Sequence, residues 1–217
     1  PAITTVSTGV ASEVESAYDV SIDEVVHNGI DVSTLSSPHN GSDDTILFVG
    51  RLVAQKGLSR GLEILSRCDS SFEFRVAGTG ELEDRLANEA MDYSFPTNFL
   101  GYVSDKQLLK EYASADILFM PSYYEGLPMV GIEGAGSGLP IVATEGARVD
   151  DIVSNDNYDY IFSAENPDCI AKAIDELLSN RELGSKVGDK NRLSVTDSFT
   201  AEEMAVAYQQ LYKAVQK

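Results

Sequence analysis

The 217-residue chain has no tryptophan, two cysteines, two histidines, and 16 basic residues against 35 acidic ones. No apolar run approaches the roughly 18 residues that a membrane-spanning helix requires, and no signal peptide is visible. Cys68 and Cys169 lie far apart in a chain that is not a small secreted one, so two free thiols in a reducing compartment are expected. His27 and His39 offer no ligand spacing with them, which argues against a structural metal. The shortage of bases leaves a net charge of −19, and such a surface repels nucleic acid and anionic lipid. Any anionic ligand therefore needs a local basic pocket. The acid excess fits a salt-loving source better than an ordinary acidic protein, because near 1 M salt the Debye length falls to about 3 Å and self-repulsion fades. The length suffices for one large or two small domains. A chain that opens on Pro1 rather than methionine reads as a piece of something longer.

The most informative stretch is 121–144. Residues 115–120 before it and 140–143 after it read as short buried strands, so the stretch is strand, loop, helix and strand. Pro128 is expected at the first helical position, where its missing N–H is an orphan anyway. The N–H groups of Met129, Val130 and Gly131 are then unpaired, and with the macrodipole they make an anion site. Glu125 stands in the loop just before this start, and Glu133 lies about 7 Å further along the axis at ~1.5 Å per residue. The two carboxylates bracket the anion site. Gly131, Gly134, Gly136 and Gly138 weaken the helix, each internal glycine costing about 0.5–1 kcal/mol relative to alanine. Either they let the helix press against the sheet or they let a ligand lie along its backbone.

Residues 45–49 form a continuous apolar run, as in a central parallel strand buried on both faces. Gly50 and Arg51 end it, Lys56 and Gly57 follow, and Leu58, Leu62 and Leu65 share one face of the next helix. The G-x-x-x-x-G-K-[ST] string of a P-loop is absent. Arg51 and Lys56 thus follow the C-terminal end of a buried strand, where α/β folds bind ligands. Residues 72–77 alternate into Gly78-Thr79-Gly80, which lacks the third glycine of the dinucleotide fingerprint and reads as a tight turn. Leu82, Leu86 and Ala90 mark a helix, 98–103 a strand and loop, and Asp105 starts a helix carrying Leu108, Leu109 and Tyr112. Asn166 and Pro167 open another helix, and Thr200 with Glu203 form a capping box for the last one. Strands alternating with helices predict an α/β fold, a Rossmann-like open parallel sheet flanked by helices.

The strings Glu125-Gly126-x-Pro128, Glu133 and Gly138-Leu139-Pro140-Ile141-Val142-Ala143 resemble the signature of the family 4 (group 1) glycosyltransferases, retaining enzymes of the GT-B fold. Gly50-Arg51-Leu52 with Lys56-Gly57, Asn28-Gly29-Ile30-Asp31, and the terminal Phe199, Tyr208, Leu211 and Tyr212 are similar to further family segments. The resemblance implies that residues 1–40 are the end of an N-terminal domain with the interdomain linker, 41–197 the nucleotide-sugar-binding domain, and 198–217 a helix crossing back toward the missing half. The polar run 33–44 suits a linker.

By the same resemblance Arg51 and Lys56 hold the donor diphosphate, and the turn Gly126-Leu127-Pro128 with Met129 and Val130 lines the donor at the helix start. Tyr102 and Val103 lie near the nucleobase, Glu133 grips the ribose, and Glu125 contacts the donor sugar. Glu125, Arg51 and Lys56 are the catalytic candidates, and packing alone is an equal account of Tyr102 and Val103. No cofactor and no obligatory metal are expected. The partners implied are a nucleotide-sugar donor, a sugar or lipid acceptor and the missing half, which supplies most of the acceptor site. A cytoplasmic location follows, with any contact to the membrane's cytoplasmic face made through that half. Two departures stand out. Gly146-Ala147-Arg148 replaces the usual Gly-Gly pair, and 158–162 replaces a G-x-L-V strand. The rival reading is a non-catalytic nucleotide-sugar-binding module of Rossmann-like fold, with a sugar-nucleotide epimerase behind it.

Overall fold

The computed structural model describes residues 2–35 and 44–215. His39 and most of the proposed linker lie outside them. The chain runs β1 (Thr4–Thr5), α1 (Thr8–Tyr18), β2 (Glu24–Val25), β3 (Thr45–Val49), α2 (Leu58–Leu65), β4 (Glu73–Ala77), α3 (Glu83–Ala90), β5 (Thr97–Gly101), α4 (Asp105–Ser114) and β6 (Ile117–Met120). It continues through α5 (Met129–Gly136), β7 (Ile141–Thr144), β8 (Ile161–Phe162), α6 (Pro167–Ser179), α7 (Arg181–Ser198) and α8 (Ala201–Val215). Strands β1 and β2 pair in a small parallel sheet of their own.

The six other strands form one parallel sheet in the order β5-β4-β3-β6-β7-β8. Counted from β3, this is the doubly wound order 3-2-1-4-5-6. The apolar runs explain it, because alternate residues of one strand face opposite layers. Ile46 and Phe48 of β3 with Ile117 and Phe119 of β6 join Leu62, Leu86, Ile170 and Ile174 on one side. Leu47 and Leu118 join Tyr112, Ile132 and Val195 on the other. Fully burying each such leucine, isoleucine or phenylalanine stabilises the chain by about 1.5–3 kcal/mol.

The glycines of α5 are explained by packing. A Cβ at Gly134 would stand 2.4 Å from Leu118 Cδ2, and one at Gly136 would stand 2.5 Å from Leu35 Cδ1. The helix is pressed onto the sheet and onto the segment before β3. Helix α7 was not anticipated, because Gly184, Gly188 and Asn191 interrupt its apolar face. They are what lets it pack: a Cβ at Gly188 would stand 1.9 Å from the carbonyl oxygen of Gly138. Asn191, fully buried, donates to Leu139 O at 2.9 Å and to Asn157 Oδ1 at 2.8 Å, and accepts from the Ser154 N–H at 3.0 Å. Asn157 in turn bonds the backbone of Ile141 through both side-chain ends. A buried hydrogen-bonded network of this kind fixes the register of α7 against β7.

Two capping expectations are corrected. Asn166 takes the cap position of α6, but its side chain makes no capping bond. Pro128 is the cap of α5 rather than its first helical residue, with an extended ψ of 114°. The Thr200 hydroxyl does accept from the Glu203 N–H at 3.1 Å. Ahead of α8, Ile30 exchanges backbone bonds with Phe199 and Ala201 at 2.8 and 3.0 Å, which closes residues 27–30 onto the last helix.

Candidate functional site

Strands β3 and β6 are neighbours whose following connections lead to opposite sides of the sheet, and that divergence opens a crevice beyond their C-terminal ends. The two loops at its lips are locked together. Gly57, at φ +66°, lies so close to β6 that a Cβ would be 2.0 Å from Pro121 O. The Tyr123 N–H donates to Gln55 O at 2.8 Å, and Gln55 Nε2 donates to Tyr124 O at 2.7 Å. Arg60 Nη2 donates to Pro121 O at 2.6 Å, and its guanidinium lies 3.9 Å from the Tyr123 ring centroid. Burial pushes the Arg60 pKa down, and the neighbouring Tyr123 works against this.

The rigid junction brings two sequence-distant charges into contact. Lys56 Nζ donates to Glu125 Oε1 at 2.7 Å, and Ser122 Oγ donates to the same oxygen at 2.8 Å. Glu125 is buried, and the ion pair is mostly shielded from solvent. The Thr144 hydroxyl donates to Ser122 O at 2.6 Å, so β7 braces this loop from the far side. Gly78-Thr79-Gly80 seats the β3 loop from the other side, rather than merely turning the chain. A Cβ at Gly78, at φ +141°, would stand 1.9 Å from Gly50 O, and the Leu52 N–H donates to Thr79 O at 2.9 Å.

Helix α5 begins at the same spot. The Gly131 N–H is taken by Pro128 O at 2.9 Å, contrary to the expectation of three open donors. The Met129 and Val130 N–H groups have no partner among the described residues, and they carry the positive end of the helix dipole. Further along, Glu133 is half-buried and accepts from the Tyr112 hydroxyl at 2.9 Å through Oε2. Burial raises the Glu133 pKa, nearby Asp105 adds to this, and the Tyr112 bond works against it. Tyr112 itself is buried, and desolvation pushes its phenol well above the ordinary range.

Lys56, Glu125, Gly126, Leu127, Pro128, Met129 and Val130 are thus assembled around one point. Glu133 stands at the same helix but is held by α4. Arg51 and Tyr102 are exposed at the ends of β3 and β5, without a side-chain hydrogen bond or ion pair among the described residues, and Tyr102 is 81% exposed. Val103 packs into the apolar layer that includes Tyr112 and Ile132. Sequence reasoning missed Arg60, Ser122 and the N-terminal Ser7, whose hydroxyl donates to Gly126 O at 2.9 Å. Arg60 alone carried a signal, as a base on the loop-proximal turn of α2 in a chain poor in bases. Among the described residues no group of three His, Cys, Asp or Glu side chains converges as a metal ligand set, and no helix is long and apolar enough to cross a membrane.

Residues 33–194 match the family model described as glycosyl transferases group 1. The chain belongs to the group 1 glycosyl transferases. An uncharacterized glycosyltransferase of Haemophilus influenzae is 33% identical to this group 1 chain over 159 residues, which cover 70% of it and 44% of that protein. Among solved structures, Staphylococcus aureus TarM, in a complex containing UDP, superposes with a TM-score of 0.87 at 19% identity, over 97% of this chain and 43% of that one. Anabaena HepE, in complex with UDP-glucose, gives a TM-score of 0.83 at 15% identity, over 99% and 63%. These two likenesses concern the fold, which is that of GT-B glycosyltransferases. The group 1 chain spans about half the length of the curated relatives it matches.

Proposed function

We propose that this chain is the donor-binding half of a retaining, family 4 glycosyltransferase that moves a sugar from a nucleotide diphosphate sugar to an acceptor hydroxyl. The observation that carries the reading is the Lys56–Glu125 pair, 2.7 Å apart at the β3–β6 crevice and set beside the unpaired N–H groups at the start of α5. Cleaving the anomeric C–O bond loads negative charge onto the leaving diphosphate. Lys56, Arg51 and the Met129 and Val130 N–H groups are pre-placed cations and donors for that charge, and no obligatory metal enters the scheme. Glu133 has Oε2 occupied by Tyr112 and Oε1 left to accept from a ribose hydroxyl. Glu125, with Lys56 withdrawn to the diphosphate, faces the sugar and offsets the positive charge growing on its ring. Tyr102 and Val103 flank the base.

The acceptor is a sugar or a lipid, and its site belongs mostly to the other half, so this chain binds a donor and transfers nothing by itself. The enzyme works in the cytoplasm, meeting any membrane-bound acceptor through that half. The net charge of −19 supports a salt-rich setting. Calorimetric titration with UDP- and GDP-linked sugars in molar KCl tests the reading. Saturable binding of one nucleotide, abolished in Arg51→Ala and Glu133→Ala, is expected; equal binding in both variants would overturn the assignment.

A further inference from the structure

Arg148 stands in the stretch 146–148 that departs from the family's Gly-Gly pair, and its backbone is of the left-handed kind suited to glycine, with φ +52°. A side chain in that region is strained, and such a residue persists where its surroundings over-determine it. Ala147 and Val149 on either side are fully buried, so the backbone is anchored without help from the arginine. The Arg148 side chain reaches outward to α1. Its Nη2 donates to Glu13 Oε1, its guanidinium lies 4.7 Å from the Tyr124 ring centroid, and the Tyr124 hydroxyl donates to Glu13 Oε2 at 3.3 Å. Arg148, Tyr124 and Glu13 close a triangle. The guanidinium bond holds the Glu13 carboxyl below its ordinary range.

Two further ties run from the start of α1 to the same place. Ser7 Oγ donates to Gly126 O at 2.9 Å, and both the N–H and the hydroxyl of Thr8 donate to Asp151. Glu125 is therefore flanked by Tyr124 and Gly126, and each of these is fastened to α1. Arg148 Nη1 is buried beside Gly9 without a partner among the described residues, a further cost that the side chain bears at this spot.

We propose that Arg148 is a positioning residue, which ties the first turns of α1 to the loop 124–126 and so sets Glu125 at the sugar end of the donor site. This rests on the donor-site reading above. The contact with the nucleotide diphosphate is made by other residues, so Arg148 governs the sugar moiety and not the nucleotide.

The test uses Arg148→Gly, because glycine relieves the left-handed backbone while removing the tie, with Arg148→Lys and Glu13→Gln beside it. Without ligand, amide hydrogen exchange at Glu125 and Gly126 is expected to quicken on the order of tenfold in Arg148→Gly and Glu13→Gln, with the double variant no worse than either. Arg148→Lys, which keeps the ion pair and loses the planar stack, is expected in between. With ligand, affinity for UDP-glucose should fall on the order of tenfold while that for UDP stays within about twofold. Unchanged exchange at 125–126, or equal loss for UDP and UDP-glucose, would overturn the proposal. Quickened exchange in the variants, with a wild-type chain that binds neither ligand, would support the tie to the loop and overturn the donor site.

Discussion

The two ends of the parallel sheet make different hollows. At the N-terminal end lies a cavity of about 670 Å³ lined by Asp44, Cys68, Asp69, Phe72, Glu73 and Phe95, with carboxylates and no lysine or arginine among the described residues of its wall. Its Cys68 thiol is pushed up to about 12 by burial and the neighbouring Asp175 and Asp69, which leaves it an inert thiol at neutral pH. At the C-terminal end lies the junction of the β3 and β6 loops, which holds Lys56, exposed Arg51 and the positive end of α5. Charge separates the two ends. For an anionic ligand on a chain of net charge −19, charge decides.

The largest test of that contrast is Lys56→Ala in the complete enzyme. Turnover should fall about 10²–10³-fold, the usual effect of removing one preorganised electrostatic partner. The variant also leaves Glu125 buried with Ser122 as its remaining partner, so its folding should be checked by thermal unfolding. Near-normal turnover would break the comparison.

A smaller effect is expected from Glu133→Gln, and it separates binding from stability. Burial raises the Glu133 pKa in the folded chain. Its ionisation therefore costs stability as pH rises through the raised value, and the cost is absent below the unfolded value. At neutral pH the glutamine variant, which still accepts from Tyr112, should unfold at the same or a higher temperature while nucleotide affinity drops about tenfold, the cost of one hydrogen bond to a charged acceptor. In the wild type, affinity should weaken on acidification at a higher pH than an ordinary carboxylate would give. A variant that loses both stability and affinity would mark Glu133 as structural.

The smallest effect belongs to the other hollow. Cys68→Ala should leave nucleotide affinity within about twofold, since a distant, uncoupled site contributes little. At pH 8, iodoacetamide should modify exposed Cys169 and spare Cys68.

The contrast was partly legible in the residues. The run at 45–49 announced a central strand and 115–120 a short buried one, and bases placed after the first pointed to a ligand end. Lys56 and Glu125 are 69 residues apart, and their pairing was not visible, because it depends on β3 and β6 being neighbours. The weak glycine-rich helix left packing and ligand approach equally open until Leu118 and Leu35 appeared against Gly134 and Gly136. Helix α7 escaped notice for the same reason in reverse: its glycines and its buried Asn191 read as helix-weak residues, and their use lies in contacts with Gly138 and Asn157. Pro128 was placed one residue too far into its helix, and the Gly131 N–H, counted as free, closes a tight first turn onto Pro128 O.

The most direct measurement is amide chemical-shift mapping of the 217-residue chain titrated with UDP in molar KCl. The account predicts saturable shifts clustered at 50–57 and 125–133, with Cys68, Asp69 and Phe95 silent. Shifts clustered around the Cys68 hollow, or none that saturate, would contradict it.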